Sequence, residues 1–343
     1  MEVLTEIAIF LFKMLIVVFG VVLIIGAIAR SARRGDSEDG AGTLRVKKLN
    51  ERWKKTALAM KYALLPKKRR KALLADEKKR MAAEQGGLAA VRRPRVFVVD
   101  FDGNVRASQV TSLREEVSAI LEVASPGDEV VVRLKSPGGL VYSYGLAACQ
   151  LERVRERGVR LTAVVDQVAA SGGYMMAVVA DRIIAAPFAV IGSIGVVAGI
   201  PNFNRWMKKR DIDYELMTAG RHKRTLTVFG ENTAEGRQKF QEELDSAHAL
   251  FKAHVVKYRP SLDVERVATG EHWYGQEALT LGLVDRVSTS DDYLRELGQS
   301  QDVYHVHWAL KRRFGDRLGV AVEGAVGRVI DRLMATSDER RLP

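Results

Sequence analysis

The chain of 343 residues is long enough for one sizeable domain with extensions, and its hydrophobic content of 47% is typical of a globular protein. Its single cysteine, Cys149, excludes an intramolecular disulfide and lies in an apolar helical pattern that predicts burial. The net charge of +12 is unevenly spread, because residues 30–95 carry 21 Lys and Arg against 7 Asp and Glu. The excess positive charge therefore belongs to one segment of the chain.

The first segment is apolar. Residues 7–29 are interrupted only by Lys13, which lies near enough to the N-terminal end to reach lipid headgroups. At about 1.5 Å per residue, a stretch of this length can cross a hydrocarbon core of about 30 Å. The small residues at 27–29 also fit a cleaved signal peptide, but acidic residues precede the stretch and arginines follow it directly. We therefore predict a retained transmembrane helix within residues 1–29.

A basic, helical linker is predicted for residues 30–94. Its most basic run, at 66–71, has no aromatic stacking platform beside it, so nucleic acid is not an expected partner. A basic segment after a membrane span is typical of contact with anionic lipid, and the positive-inside rule places it in the cytoplasm.

From Arg95 onward, strand-like segments alternate with helical patterns, which predicts parallel βαβ units and an α/β fold. The predicted strands are 95–101, 129–134, 160–165, 182–186 and 191–198. The predicted helices are 105–123, 140–157, 171–180 and 232–256. The helix predicted at 232–256 is expected either to cover a functional site or to contact a neighbouring protomer.

Two turns rich in glycine follow predicted strands. In the first, at 136–139, consecutive glycines allow backbone N–H groups to face a ligand. In the second, Ser171 precedes two glycines and opens a helix, where a developing oxyanion would be stabilised. A turn of small residues between a strand and a helix needs no catalytic role, so the second motif alone is weak evidence.

A base is needed before a serine hydroxyl becomes a good nucleophile, and Lys223 is a candidate. A lysine can act as a base near neutral pH only when burial lowers its pKa. His222 is the neighbouring residue, and adjacent side chains of a strand face opposite ways, so only one of the two can meet Ser171. The residues by themselves leave both possibilities open.

In their order along the chain, these motifs resemble the signal peptide peptidase A family of membrane-anchored Ser-Lys peptidases, and within it the SohB branch. The resemblance covers about residues 95–287 and rests on the segments 136–139, 168–174, 192–196, 223–227 and 282–285. Segments 229–233 and 270–275, together with the basic linker, are similar to the SohB branch in particular. The resemblance implies a crotonase-like fold, shared with the Clp protease, of stacked ββα units.

The resemblance also implies roles for individual residues. Ser171 matches the nucleophile and Lys223 the general base, so that Lys223 rather than His222 is selected. Gly138 and the Gly172 amide match the oxyanion hole, and Ser193 matches a serine that hydrogen-bonds the lysine. No metal or other cofactor is expected, because the other histidines show no acidic or metal-binding partner at a characteristic spacing.

We therefore expect a membrane-anchored serine endopeptidase of the bacterial inner membrane. Its catalytic domain would span residues 95–290, followed by a C-terminal extension at 291–343. The expected partners are membrane-associated or signal-peptide-like peptides, membrane lipid and copies of the same chain. Charge favours a cytoplasmic catalytic domain, although some members of the family face the periplasm. The alternatives are a crotonase-type acyl-thioester enzyme, which would not need a Ser-Lys pair, and an inactive membrane scaffold.

Overall fold

The computed structural model of the protein describes residues 42–86 and 93–310. The strands among these residues are β1 (Gly42–Lys48), β2 (Arg95–Asp102), β3 (Glu129–Ser136), β4 (Arg160–Ala170), β5 (Arg182–Ala185), β6 (Val190–Gly192), β7 (His272–Tyr274), β8 (Arg286–Val287) and β9 (Asp302–Leu310). The helices are α1 (Leu49–Leu64), α2 (Lys67–Gly86), α3 (Val110–Val123), α4 (Val141–Glu156), α5 (Gly172–Ala177), α6 (Asn204–Lys208), α7 (Ala234–Tyr258), α8 (Val264–Val267), α9 (Gly275–Thr280) and α10 (Ser290–Ser300). One compact unit, Leu44–Trp308, contains the candidate site. Of the second unit, residues 1–43 and 309–343, only 42–43 and 309–310 are described.

The strands form one sheet in the order β1-β9-β2-β3-β4-β5-β8. The pairs from β9 to β8 along this order are parallel, and β6 adds a parallel branch to β4 and an antiparallel pair with β7. Helices connect most of the parallel strands, as parallel pairing requires. The prediction of an α/β fold with a parallel sheet is confirmed.

Apolar side chains fill both faces of the sheet, which explains why its strands read as nearly continuous apolar runs. Along β2, Val99 and Phe101 belong to the larger core, whereas Val96 and Val98 belong to a smaller core on the opposite face. Residues of α3, α4, α5 and α7 complete the larger core. Residues of α10 and α1 cover the smaller one.

Several predicted elements begin or end elsewhere. Helix α3 begins at Val110 instead of residue 105, because the Asn104 side chain accepts the N–H groups of Arg106 and Ser108 and holds these residues in a turn. Strand β4 continues to Ala170, and β6 ends at Gly192 rather than at residue 198. The prediction that Cys149 is buried is wrong, because it lies on the exposed side of α4.

The sheet also extends beyond the span predicted for the catalytic domain. Strand β9 pairs with β2, and β1 lies beside β9 at the edge of the sheet. Asn50, at the start of α1, donates to the carbonyls of Gly298 and Gln301 and accepts the Val303 N–H. Parts of the predicted linker and of the predicted C-terminal extension therefore belong to one continuous sheet.

The predicted transmembrane helix lies outside the described residues. Within residues 42–86 and 93–310, none of the helices has the length and apolar character required to span a bilayer. Helix α2 is instead strongly basic in its first turns, where lysines and arginines occupy residues 67–71.

Candidate active site

Ser171 lies where β4 ends and α5 begins. Its backbone has φ 50° and ψ −120°, a conformation that costs a residue other than glycine about 1–3 kcal/mol. The Ser171 N–H donates to the Gly192 carbonyl at 2.8 Å, and its own carbonyl accepts the Met175 N–H at 2.9 Å. Between Ala169 and Ala180, Ser171 is partly exposed and every other residue is buried. The turn therefore presents one accessible serine at the end of a buried strand.

The glycines that follow Ser171 are required by close packing. A Cβ atom on Gly172 would lie 2.4 Å from the Tyr144 ring, and one on Gly173 would lie 2.5 Å from the Ser136 carbonyl oxygen. Heavy atoms do not approach this closely without displacement, so neither position accepts a larger residue in this geometry. The start of α5 is thereby pressed against α4 and the end of β3.

The turn after β3 reaches Ser171 directly. Gly138 has φ 95°, and a Cβ atom there would lie 2.7 Å from the Ser171 Cβ and 2.8 Å from the Gly172 nitrogen. Its N–H donates to the Ser136 Oγ at 3.1 Å, so in this structure the amide already has a partner. The structure thus brings together Gly138, Ser171 and Gly172, three of the residues predicted for the site.

A small cavity opens beside Ser171. Its walls come from the Ser-Pro-Gly-Gly turn, the start of α5, the loop after β6 and the middle of α7, and they comprise Gly139, Val141, Ser171, Gly172, Met175, Gly195, Val196, Ala247 and Phe251. Apart from Ser171, these residues offer only apolar side chains and backbone. Helix α7 therefore covers the cavity at Ser171, which is one of the two roles predicted for this segment.

Ser193 is linked to Ser171 through its neighbour Gly192. It directly follows Gly192, whose carbonyl accepts the Ser171 N–H, and its own N–H donates to the Glu271 carbonyl at 2.7 Å. Ser193 has φ 52° and is partly buried. Its side chain makes no hydrogen bond with Lys223 among the described residues.

Lys223 is not brought to Ser171. It lies on an exposed turn in which its N–H donates to the Gly220 carbonyl at 3.1 Å. Within the part of the chain that the structure describes, its ammonium group makes no hydrogen bond or ion pair. His222 is equally exposed. The burial that a lysine base requires is therefore absent from a single copy of the chain in this conformation.

The segment between the loop after β6 and this turn is rich in exposed apolar side chains. Val197 is 94% exposed and Met217 is 87% exposed. The other large apolar residues with exposed surface there are Ile200, Phe203, Trp206, Ile212, Tyr214 and Leu216.

Sequence reasoning missed a contact between α7 and the C-terminal half of α5. The His254 Nε2–H donates to the Met175 carbonyl at 2.9 Å. Burial lowers the pKa of His254. In the sequence, His254 lies one helical turn beyond the apolar Phe251, which suggests a position near the core but does not identify Met175 as its partner.

A larger cavity of about 730 Å³ lies at the other ends of the strands. Its lining includes Glu129 and Arg160 at the starts of β3 and β4, and Glu152 and Lys257 from α4 and α7. None of the residues predicted for the site lines it, whereas Ser171 and Gly172 line the smaller cavity.

A strained, accessible serine at the end of a central parallel strand, flanked by glycine turns, gives the arrangement of an α/β serine hydrolase. The family model described as "Peptidase family S49 N-terminal" matches residues 2–151, and the model described as "Peptidase family S49" matches residues 153–304. The chain belongs to peptidase family S49.

Curated relatives point the same way. The "Probable protease SohB" of Haemophilus influenzae is 45% identical over 341 residues, covering 96% of each chain. The "Putative protease SohB" of Buchnera aphidicola subsp. Baizongia pistaciae is 44% identical, covering 87% of this chain and 88% of the relative. The resemblance to the SohB branch is confirmed, and the protein is a serine-type peptidase.

A solved structure is also similar at a lower level. The "1510-N membrane-bound stomatin-specific protease", solved as a mutant with a substrate peptide, is 12% identical with a TM-score of 0.43. The match covers 68% of this chain and 99% of that one. This similarity is too low to transfer residues or partners.

Proposed function

We propose that the protein is a membrane-anchored serine endopeptidase in which Ser171 attacks the scissile carbonyl and Lys223 is the general base. The observation that carries this proposal is the left-handed backbone of Ser171, because such strain persists where the surrounding structure enforces it and is frequent at reactive residues. A neutral Lys223 amine takes the hydroxyl proton and then gives it to the leaving amine. In the second step water attacks the acyl-enzyme, and Lys223 accepts a proton from the water and returns it to the Ser171 oxygen as the acyl group leaves.

Two backbone amides are proposed for the oxyanion hole. The Gly172 N–H follows the nucleophile directly, and Gly138 packs against both Ser171 and Gly172. The Gly138 N–H is bonded to the Ser136 Oγ, so it contributes by sharing its hydrogen between Ser136 and the oxyanion. A single such donor is worth about 100- to 1,000-fold in kcat.

The exposed position of Lys223 supports a proposal about assembly. The active enzyme is a homo-oligomer, and contact between copies buries Lys223 so that it can lose its proton. Exposed Val197 and Met217 on the same segment supply apolar surface for that contact. Ser193, beside the nucleophile, then hydrogen-bonds the lysine amine.

The cavity at Ser171 supports the choice of substrate. Val141, Val196 and Phe251 give it apolar walls, and because the cavity holds only about 10 Å³ in this structure, it must widen to take a small or apolar side chain of an extended peptide. We propose membrane-associated or signal-peptide-like segments as the substrate class. Nothing in the proposed chemistry requires a metal or another cofactor.

The membrane assignment rests on the sequence before the described sheet. We propose a single anchor within residues 1–29 in the bacterial inner membrane, basic helices in contact with anionic lipid, and a cytoplasmic catalytic domain. The stacked ββα architecture of the crotonase and Clp group is proposed with it. Because the chain is a peptidase, the acyl-thioester alternative is set aside.

Labelling with a fluorophosphonate probe tests the nucleophile and excludes an inactive scaffold. The detergent-solubilised full chain is expected to label and to cleave peptides, whereas Ser171→Ala should do neither. Lys223→Ala should lose cleavage, and the double variant should be no worse than either single variant, because a nucleophile and its base act as one unit. His222→Ala is the matched control and should stay active. An active Lys223→Ala with an inactive His222→Ala would contradict the Ser-Lys mechanism.

A further inference from the structure

Two buried hydroxyl groups lie beneath the Ser-Pro-Gly-Gly turn. Ser136 and Tyr144 are both 0% exposed, and their oxygens lie 2.5 Å apart. The Ser136 Oγ accepts the Gly138 N–H at 3.1 Å, and the Tyr144 hydroxyl donates to the Asn104 carbonyl at 2.8 Å. A continuous chain of hydrogen bonds thus runs from the turn beside Ser171 to the loop after β2.

The direction of every bond in this chain is fixed by its two ends. An amide N–H can only donate and a carbonyl can only accept, so Tyr144 gives its one hydrogen to Asn104. Ser136 must then donate to Tyr144, which leaves its lone pairs for Gly138. Hydrogen bonds aligned head to tail polarise one another, so the Tyr144 hydroxyl strengthens the hold of Ser136 on Gly138. Burial raises the pKa of Tyr144, which keeps its hydroxyl protonated near neutral pH.

Glycines on the surrounding loops create the space for this pair. A Cβ atom on Gly103 would lie 2.4 Å from the Ser136 Oγ and 2.5 Å from the Tyr144 hydroxyl. On the other side, Gly172 lies against the Tyr144 ring and Gly173 against the Ser136 carbonyl. The pair therefore contacts the three loops that follow β2, β3 and β4, and the last of these carries the nucleophile.

We propose that Ser136 and Tyr144 are positioning residues for the peptidase reaction, which hold the Gly138 amide in register with Ser171 and Gly172. Neither side chain touches the substrate. This inference rests on the proposed function, because it assigns the Gly138 amide to the oxyanion hole. Loss of either hydroxyl would loosen the turn and weaken stabilisation of the oxyanion, while the apolar walls beside Ser171 stay unchanged.

The test compares Tyr144→Phe, Ser136→Ala and the double variant in the full chain. Phenylalanine keeps the buried ring, so Tyr144→Phe removes only the hydroxyl. We expect kcat to fall about tenfold with KM within about twofold of wild type, and the double variant to be no worse than Ser136→Ala. Tyr142→Phe is the matched control, because Tyr142 lies on the same helix and is 76% exposed.

Hydrogen–deuterium exchange supplies a readout that needs no activity. Amides in the peptide covering residues 134–141 should exchange faster in Tyr144→Phe and Ser136→Ala than in wild type or Tyr142→Phe. Wild-type kcat or unchanged exchange in Tyr144→Phe would overturn the inference, as would a raised KM with unchanged kcat. If wild type cleaves no peptide but exchange still rises in the variants, the proposed function fails while the positioning of the turn stands.

Discussion

Adding one methyl group at Gly172 gives a sharp test of the site geometry. An alanine Cβ there would lie 2.4 Å from the Tyr144 Cγ and 2.7 Å from its Cδ2. The ring is fully buried and its hydroxyl is held by Ser136 and Asn104, so it has little freedom to move away. Gly172 has no positive φ, so its backbone conformation itself accepts alanine. The start of α5 must therefore shift, and with it the Gly172 amide.

Two magnitudes follow from this geometry. Overpacking of a buried site costs about 1–3 kcal/mol, so we expect the free energy of unfolding of Gly172→Ala to fall by about 2 kcal/mol. A displacement of catalytic groups by about 1 Å costs about 100-fold, so kcat/KM should fall by at least about that factor.

Urea unfolding and peptide hydrolysis measure the two effects, and Gly145→Ala is the matched control. Gly145 lies on α4 next to Tyr144, but a Cβ atom there would meet no atom within 4 Å. Its replacement in a helix interior should stabilise the protein by up to about 1 kcal/mol and leave activity unchanged. If Gly172→Ala behaved like Gly145→Ala, the close packing of α5 on the Tyr144 ring would be refuted.

Three further predictions concern single side chains. Ser171→Gly should be about 1 kcal/mol more stable than Ser171→Ala by urea unfolding, because glycine relieves the strain of the positive φ. Both variants should be inactive, so the comparison measures stability alone. Equal stability would mean that residue 171 stores no strain. Lys223→Arg should be inactive, since a guanidinium keeps its proton, and an active arginine variant would exclude a base role for Lys223. The rate of peptide hydrolysis by the wild type should increase with pH. Burial raises the pKa of Glu116 to about 7, so wild-type stability should decline as pH rises from about 4.5 through 7. Glu116→Gln cannot ionise, so its free energy of unfolding relative to wild type should increase by about 1–3 kcal/mol between pH 5 and pH 8. A difference in stability that did not change with pH would contradict the raised pKa of Glu116.

The predictable part of the site is the part built from strand ends. Parallel strands place their carboxyl ends at one edge of the sheet, so turns after neighbouring strands β3 and β4 must meet. The glycine turns after predicted strands pointed to segment 136–139 and to Ser171, whereas the roles of Gly138 and Gly172 followed from the resemblance to the family. The alternation of strands and helices from Arg95 onward predicted the parallel sheet for the same local reason.

The remainder depends on contacts that no local pattern encodes. Tyr144 reads as one more apolar position of a helix, and its role follows only from meeting Ser136 and Asn104. His305 was expected to lack an acidic partner, but Asp100 of the neighbouring strand β2 bonds its Nε2 at 2.9 Å. Lys223 lies in a long connection with little regular structure, where the sequence gives no register that would fix its distance from Ser171.

The insertion of β9 between β1 and β2 has a consequence for synthesis on the ribosome. Lys48 and Asp302 form an ion pair although 254 positions separate them along the chain. During translation, β2 leaves the exit tunnel long before the strand that pairs with one of its edges, and an unpaired strand edge is a template for wrong partners. A nascent chain therefore keeps an open edge until its last described strand has emerged. A chain that ended before Asp302 would lack this strand, and the edge of β2 would stay open to wrong partners.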